Sequence, residues 1–296
     1  MATKTKKKAA SRYTKKNTKK RSAAKKTVKK KSAAKRKTNS VDIKSVAAFA
    51  ICFILIVSFI TGIVFLNVER TKPANGKEIS RILKKDKAWG IDVSSHNGKI
   101  DWKKVSTKAD FAFIRVGYRG YAEGEINFDK QMKNNLKGAA ENGVPVGVYF
   151  YTQAINEKEA EEEADFVLKK IKGYDVKLPV VIDFEYATRN GKRVGRLAKA
   201  KHNNKKRTAI VNAFCNKVRT AGYTPGIYAS SYIYRSYLNM KKFDGDIFIW
   251  VADYNSSVTY KGFYDIWQYS ETGKCPGIKN KADTNYWYTK KRLQGD

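Results

Sequence analysis

Hydrophobic positions follow three patterns along the chain, and the first is one long apolar run. Residues 45–68 are 24 consecutive residues without a charged side chain. About 20 apolar residues in a helix span the hydrocarbon core of a bilayer. We therefore predict a transmembrane helix over residues 45–68. A cleaved signal peptide is the alternative, but the run is too long for a signal core and no small-residue cleavage site follows it.

The second pattern consists of short runs rich in β-branched and aromatic residues, which begin after residue 87. Runs of this kind predict buried strands. They occur at residues 89–93, 111–116, 146–152, 179–184, 224–229, 247–252 and 264–268. In one of them, Val180, Val181 and Ile182 follow each other without a polar break. That is typical of a strand covered on both faces.

The third pattern is helical periodicity, which lies between the predicted strands at residues 128–142, 157–171 and 208–221. Gly143 and Gly222 follow two of these segments, where a helix commonly stops. Strands that alternate with helices indicate a parallel sheet. We therefore predict an α/β fold, an irregular (β/α) barrel of seven or eight strands. An open doubly wound sheet is the alternative, although no glycine-rich phosphate loop follows the first strand.

These patterns divide the chain into four parts. Residues 1–44 are a low-complexity stretch dominated by Lys, Arg, Ala, Ser and Thr, which we expect to be disordered. The transmembrane helix (45–68) and a polar stalk (69–87) follow. Residues 88–296 form the folded domain. The predicted architecture is thus a barrel preceded by a single transmembrane helix and a disordered basic tail.

Positive charge is concentrated at the N-terminus. Residues 1–44 hold 19 Lys and Arg against Asp42 alone, and the whole chain carries a net charge of +34. This bias predicts a cytoplasmic N-terminus and an extracellular domain in a single-pass membrane protein. The basic regions favour anionic membrane lipid or an anionic wall polymer as partners. Nucleic acid is disfavoured, because Tyr13 is the only aromatic residue in the predicted tail. The chain is expected to be a monomer.

The cysteines and histidines do not indicate a metal site. Cys52, Cys215 and Cys275 form no C-x-x-C pair, and the two histidines are far apart. We predict neither a metal nor any other cofactor. A bridge between Cys215 and Cys275 remains open, with two buried thiols as the alternative.

Four acidic residues are candidates for catalysis because each lies where a predicted strand ends or closes the barrel. Asp183 and Glu185 follow the apolar run 179–182, Asp92 ends the first run, and Asp283 lies in the last predicted strand. Working residues of β/α barrels lie at the carboxyl ends of the strands. Two acids at i and i+2 share one face, so we expect one to hold a proton and the other to stay ionised. Glycoside hydrolysis uses such a pair. Taken singly, each acid could instead be a helix cap or a solvated strand end.

Aromatic residues cluster near the same strand ends. Their flat apolar faces and polar edges suit sugar rings, although core packing explains some of them equally well. The candidates for substrate binding are Tyr118, Tyr149, Tyr151, Tyr228, Trp250 and Trp267.

Eight motifs together resemble one known family. They are Trp89-Gly-Ile-Asp-Val-Ser-Ser-His-Asn-Gly-Lys-Ile-Asp-Trp102, Phe113-Ile-Arg-Val-Gly-Tyr118, Val146-Gly-Val-Tyr-Phe-Tyr151, Pro179-Val-Val-Ile-Asp-Phe-Glu185, Gly222-Tyr-Thr-Pro-Gly-Ile-Tyr228, Ile249-Trp-Val-Ala-Asp-Tyr254, Ile266-Trp-Gln-Tyr269 and Asp283-Thr-Asn285. In this order they resemble the family 25 glycoside hydrolases, the muramidase-type lysozymes. The resemblance covers residues 88–287.

The resemblance implies a flattened β/α barrel that cleaves the β-1,4 bond between N-acetylmuramic acid and N-acetylglucosamine in peptidoglycan. By motif, Glu185 corresponds to the general acid and Asp183 to its partner carboxylate. Asp92 and Asp283 correspond to the acids that complete the cleft. Asp253 departs from the expected glutamine, and we expect its charge either to raise the proton affinity of Glu185 or to alter contacts with the sugar.

Two questions stay open at this level. Asp183 could act as a nucleophile, or it could hold the substrate's own 2-acetamido group while that group attacks. We favour substrate assistance with retention of configuration, because an Asp-x-Glu pair on one strand resembles the substrate-assisted hydrolases. The whole domain could also be a non-catalytic module that binds or anchors wall glycan.

Overall fold

Eight strands close into a barrel in the computed structural model, which describes residues 82–289. The strands, numbered along the chain, are β1 (Ala88–Val93), β2 (Phe111–Arg119), β3 (Ile126–Phe128), β4 (Val146–Tyr151), β5 (Val180–Asp183), β6 (Thr188–Arg189), β7 (Lys192–Arg193), β8 (Pro225–Ser230), β9 (Phe248–Ala252), β10 (Ile266–Gly273) and β11 (Ala282–Trp287). The α-helices are α1 (Trp102–Val105), α2 (Met132–Glu141), α3 (Glu157–Ile171), α4 (Gly195–Lys199), α5 (Asn204–Thr220) and α6 (Ser231–Ser236). Two 3₁₀ turns lie at Ser95–Asn97 and Met240–Lys242.

The strand order is β1-β2-β4-β5-β8-β9-β10-β11, and β11 pairs back onto β1. Seven of these strands run parallel, as the sequence predicts. The last strand, β11, runs antiparallel to both β10 and β1. β3 extends the sheet at the end of β2, and β6 with β7 forms a separate hairpin. The predicted irregular barrel is therefore confirmed, and the pairing of β1 with both β2 and β11 excludes the open sheet.

Side chains alternate between the inside of the barrel and the layer beneath the helices. On β5, Val181 belongs to the interior cluster, whereas Val180 and Ile182 pack against the helices. Both faces of this strand are buried, which explains its unbroken apolar run. Phe113 and Trp250 fill the middle of the barrel, with ring centroids 4.6 Å apart. The core is thus two layers, one within the strands and one around them.

Helix α3 begins and ends where the sequence predicts. The Asn156 side chain caps it by accepting a hydrogen bond from the backbone N–H of Glu159 at 2.9 Å. Ala160, Ala164 and Val167 form its buried stripe at helical spacing. Helix α5 starts four residues earlier than predicted because Asn203 caps a charged first turn that carries no apolar signal.

The other end of the barrel is closed by apolar side chains. Ile82, Leu178 and Trp287 belong to the interior cluster at this end. Lys85 forms an ion pair with Asp110 at 2.5 Å. The last residues of the predicted stalk therefore pack against the barrel.

Several predictions lie outside the described residues. They are the basic tail (1–44), the transmembrane helix (45–68) and the stalk as far as residue 81. Between residues 82 and 289 we find no helix with the length and apolar character needed to cross a bilayer. Cys215 and Cys275 are buried free thiols, so the bridge between them does not form.

Candidate active site

The four predicted acids meet at one cavity of about 460 Å³ at the carboxyl ends of the parallel strands. Asp92 is the last residue but one of β1, while Asp183 and Glu185 lie at and just beyond the end of β5. Asp283 reaches the same rim from the opposite direction, because β11 is antiparallel and its first residues lie where the other strands end. The residues that line the cavity are Asp92, Ser94, His96, Asn97, Arg115, Tyr149, Tyr151, Asp183, Glu185, Tyr228, Trp250, Gln268, Lys281 and Asp283.

Asp92 is fixed by two side-chain amides. Its Oδ2 accepts hydrogen bonds from Gln268 Nε2 at 2.9 Å and from Asn285 Nδ2 at 2.8 Å. Asn285 is held in turn by Trp250, whose Nε1 donates to Asn285 Oδ1 at 2.8 Å. Tyr228 donates its hydroxyl hydrogen to Gln268 Oε1 at 2.8 Å. This network orients the Oδ2 atom of Asp92.

Asp92 and Asp283 form a carboxyl pair. They lie opposite each other in the register of β1 and β11, and each carboxyl shifts the pKa of the other. Burial raises the pKa of Asp92 to about 6. Burial, followed by the charge of Asp92, raises the pKa of Asp283 to about 9. At neutral pH Asp283 therefore holds a proton beside ionised Asp92.

Asp183 and Glu185 are both pushed toward the protonated form. Burial, then the charges of Glu185 and Asp92, holds the pKa of Asp183 well above its usual range. Burial, then the charges of Asp92 and Glu271, raises the pKa of Glu185 to about 7. Among the described residues, no hydrogen-bond partner reaches the buried Oδ1 of Asp183. The sequence led us to expect one ionised member of this pair, but shared burial raises the pKa of both. Glu185 is consequently able to donate a proton near neutral pH.

Arg115 is a cavity residue that the sequence reasoning missed. Its Nε donates to Asp129 Oδ2 at 2.8 Å and its Nη2 donates to Ser95 Oγ at 3.2 Å. The positive charge of its guanidinium partly offsets the raised pKa of Asp183. Side chains two residues apart on a strand point to the same face. Phe113 and Arg115 on β2 both point inward, so the position of Arg115 relative to Phe113 is the signal that could have identified it.

Four of the six predicted aromatic residues line the cavity, namely Tyr149, Tyr151, Tyr228 and Trp250. Tyr118 does not line it, and the guanidinium of Arg115 lies 5.4 Å from the centre of its ring. Trp267 lies on the outer face of β10, where its Nε1 donates to the backbone oxygen of Asp253 at 2.6 Å.

The carboxylate of Asp253 holds a loop together and does not line the cavity. Its Oδ2 accepts hydrogen bonds from the backbone N–H of Thr259 at 2.8 Å and from the Thr259 hydroxyl at 2.7 Å. Burial opposes ionisation, but the hydrogen bonds to this carboxylate outweigh it and hold the pKa of Asp253 below its usual range. Asp253 is absent from the charges that raise the pKa of Glu185. Our expectation of that effect was therefore wrong.

Replacing Asp283 with asparagine is expected to stabilise the fold in alkaline solution. Because the pKa of Asp283 rises from 3.8 to about 9 on folding, the folded state binds this proton more tightly. Its contribution to stability is fully present below about pH 4 and is lost as pH rises toward 9. Asparagine removes that loss, so the melting temperature should increase at pH 9 and change little at pH 4.

Thermal unfolding at both pH values measures this effect. Asp175→Asn is the control, since Asp175 is exposed and paired with Lys177 at 3.0 Å. An equal shift at pH 4 and pH 9 for Asp283→Asn would show that Asp283 is not protonated in the folded protein.

The comparisons with known proteins agree with this geometry. Residues 91–278 match the family model described as "Glycosyl hydrolases family 25". The autolytic lysozyme of Clostridium acetobutylicum is 26% identical over 199 residues, which cover 66% of this chain and 54% of that protein. This chain therefore spans about half the length of that relative.

Solved structures show the same fold. The modular autolysin LytC of Streptococcus pneumoniae, solved in complex with a synthetic peptidoglycan ligand, superimposes with a TM-score of 0.56 and 28% identity. That alignment covers 68% of this chain and 47% of LytC. A family 25 glycosyl hydrolase from Bacillus anthracis, 23% identical, superimposes with a TM-score of 0.54 over 68% of this chain and 88% of its own.

Proposed function

We propose, for a chain that belongs to the glycosyl hydrolases of family 25, that it cleaves the β-1,4 bond between N-acetylmuramic acid and N-acetylglucosamine in peptidoglycan. The observation that carries this proposal is the cavity in which four acids converge, with the pKa of Glu185 raised to about 7. A carboxylic acid that keeps its proton near neutral pH is what the departure of a sugar alkoxide requires. The autolytic enzymes among its relatives support peptidoglycan as the substrate.

Glu185 is the proposed general acid. It follows β5 directly and lies at the cavity together with Tyr151 and Tyr228. Protonated Glu185 would donate its proton to the glycosidic oxygen as the bond to the anomeric carbon breaks. The same carboxylate would then accept a proton from the incoming water molecule, which returns the enzyme to its starting state.

Asp183 is proposed to act on the 2-acetamido group of the sugar in the adjacent subsite. Its Oδ1 is buried without a hydrogen-bond partner among the described residues, so a substrate N–H would supply the missing bond. The acetamido oxygen would then attack the anomeric carbon from the face opposite to the leaving oxygen. Water would open the resulting ring from the original face, with overall retention. Direct attack by Asp183 is the alternative mechanism.

Asp92 and Asp283 are proposed to shape the negative side of the cavity. The amides of Gln268 and Asn285 fix Asp92, whose charge is one of the causes that raise the pKa of both Asp183 and Glu185. A fixed charge at this position helps to keep the proton on Glu185 and also stabilises positive charge that develops on the sugar.

Product analysis tests the proposed bond. The purified full chain is incubated with peptidoglycan, the products are reduced with borohydride, and the reduced amino sugar is identified. Cleavage at the proposed bond yields reduced muramic acid. Reduced glucosamine would place cleavage at the other glycosidic bond. Glycan binding without any new reducing end would favour the non-catalytic wall-binding module instead.

We also propose that residues 45–68 anchor the protein in the cell membrane, with the N-terminus cytoplasmic and the catalytic domain extracellular. The 24 uncharged residues and the 19 basic residues that precede them support this arrangement. The full chain should stay in the membrane pellet after alkaline extraction, and protease added to intact protoplasts should remove the domain. A chain without residues 45–68 is the control. Recovery of the full chain in the soluble fraction would contradict the anchor.

A further inference from the structure

A basic surface leads from the outside of the barrel to the catalytic cavity. One groove lies between α1, α2 and the loop 274–281, and a second groove lies along that loop. The two grooves share Ile278 and Lys279. The second groove and the catalytic cavity share Lys281. The three concavities therefore adjoin one another through shared lining residues. We call the first two together the lysine groove.

The lysine groove has a large excess of positive charge. Eight lysines line it, against the two carboxylates of Asp101 and Glu141. Each of these carboxylates already faces a lysine, at 3.5 Å from Lys104 and 3.8 Å from Lys137. None of the ion pairs found between residues 82 and 289 includes the other six lysines of the groove, which are Lys99, Lys103, Lys108, Lys274, Lys279 and Lys281. Lys108 already donates to the backbone oxygen of Lys274 at 3.2 Å and lies 4.3 Å from the centre of the Trp89 ring. The charge of the other five is available to an external anion.

The loop that carries several of these lysines is held in place. The backbone N–H of Asp101 donates to Gly277 O at 2.9 Å, and Asn97 Nδ2 donates to Lys281 O at 3.1 Å. Gly277 has a φ of +90°, and a Cβ there would lie 2.2 Å from the backbone oxygen of Asp101. Only glycine fits this close approach. The lysines thus extend from a fixed backbone, which lowers the entropy lost when an anion binds.

The composition of the groove indicates the class of anion. All of its basic residues are lysines, although arginine occurs elsewhere in the domain. Arginine binds carboxylates and phosphates in a planar, bidentate geometry, whereas the lysine ammonium is a point charge that sets no such geometry and suits phosphates spaced along a flexible chain. The one aromatic residue that lines the groove, Trp102, is 5% exposed, so no open ring is available for a nucleobase to stack on. A linear polymer of phosphodiesters without bases fits these features best.

We propose that the lysine groove binds a linear phosphodiester polymer of the cell wall and thereby holds the catalytic cavity against the glycan that carries the polymer. The binding itself is independent of the proposed glycosidase activity. The effect on wall cleavage rests on that activity.

Lysine footprinting tests the binding in the full chain. The protein is treated with an amine-reactive reagent, with and without linear polyphosphate, and the labelling of each lysine is quantified by mass spectrometry. Lys99, Lys103, Lys274 and Lys279 should be labelled several-fold less when polyphosphate is present. Exposed lysines on α3 and α5, such as Lys158 and Lys205, should be labelled equally in both samples. Uniform protection of all lysines would overturn the proposal, because it would show that only overall charge matters.

Two further probes separate this partner from other anions. Single-stranded DNA and vesicles of anionic lipid are compared with polyphosphate at equal phosphate concentration. Stronger protection of the groove by DNA would assign it to nucleic acid. Protection by vesicles but not by soluble polyphosphate would assign it to a membrane surface. Either result would overturn the wall-polymer assignment.

A variant pair connects the groove to wall cleavage. The groove variant changes Lys99, Lys103, Lys274 and Lys279 to glutamine. Its matched control makes the same change at four exposed lysines on or next to α3 and α5, which are Lys158, Lys169, Lys172 and Lys205. Relative to the control, the groove variant should cleave polymer-bearing walls several-fold more slowly. Both should cleave walls stripped of polymer at the same rate. Equal rates on both substrates would overturn the role in wall cleavage. Absence of cleavage by the unaltered chain would refute the proposed activity and leave the footprinting result to decide the binding.

Discussion

Replacing Glu185 with glutamine is expected to lower the rate of peptidoglycan cleavage by about 10³-fold, since general acid catalysis contributes roughly 10²–10⁴-fold. Glutamine has nearly the same shape but cannot protonate the leaving oxygen. The backbone position should persist, because Glu185 O still accepts a hydrogen bond from Gln153 Nε2 at 3.1 Å. The loss should therefore appear in kcat more than in KM.

The choice of leaving group makes this test specific. An aryl glycoside that releases a stable phenolate needs no proton from the enzyme, so Glu185→Gln should lose much less activity on it than on the natural glycan. Glu123→Gln is the matched control, because Glu123 is exposed and lies outside the cavity. Equal losses on both substrates would show that Glu185 does not act as the acid.

The pH profile gives an independent measure of the same group. An acid catalyst works only while it holds its proton. With the pKa of Glu185 raised to about 7 by burial and by the charges of Asp92 and Glu271, kcat/KM should be retained below pH 7 and fall as pH rises through it. This alkaline decline should be absent from the residual activity of Glu185→Gln. A rate that continues to rise up to pH 9 in the unaltered chain would contradict the assignment.

Replacing Asp183 with asparagine is expected to lower cleavage on the order of 10²–10³-fold, the usual loss when one group that stabilises developing charge is removed. Unlike the loss in Glu185→Gln, this loss should be similar for the natural glycan and the aryl glycoside. Asp183 acts on the acetamido group or the anomeric carbon, and neither function depends on the leaving group. The Asp175→Asn control should keep full activity.

Azide distinguishes the two roles proposed for Asp183. If Asp183 is the nucleophile, azide added to Asp183→Ala takes its place on the α face and gives an α-glycosyl azide. If the substrate's acetamido group attacks, azide opens the ring from the β face and gives a β-glycosyl azide. We expect the β product, identified by NMR. An α product would overturn substrate assistance while leaving the proposed cleavage reaction intact.

The elements that the sequence predicted well are those with strong local signals. Helix α3 was placed at Glu157–Ile171 because its cap, its acidic first turn and its apolar stripe are close neighbours in sequence. Phe128 was assigned to a helix but lies in β3, where it pairs with Gly117 of β2. Its apolar side chain fits either structure, and the choice depends on a strand that precedes it by about ten residues.

The sequence identified some residues of the candidate site and missed others. Asp92, Asp183 and Glu185 could be found because each follows an apolar run that reads as a strand. Arg115, Gln268 and Asn285 were missed, although all three lie in the motifs that carry the family resemblance. Trp267 was placed with the substrate-binding residues, but it points outward because Gln268, its neighbour on β10, points into the cavity. Alternation along a strand is visible in the sequence, whereas the face that becomes the inside is known only once the barrel closes.

The sequence by itself determined which residues could do chemistry, because acids at the ends of apolar runs are a local property of the chain. Only the tertiary structure decided how those acids behave. The reversal of β11 brings Asp283 opposite Asp92, although 190 residues separate them. Burial by the surrounding strands then raises the pKa of all four acids. Proton affinity depends on the solvation and the charges around a group, and in this barrel both are supplied by residues distant in sequence.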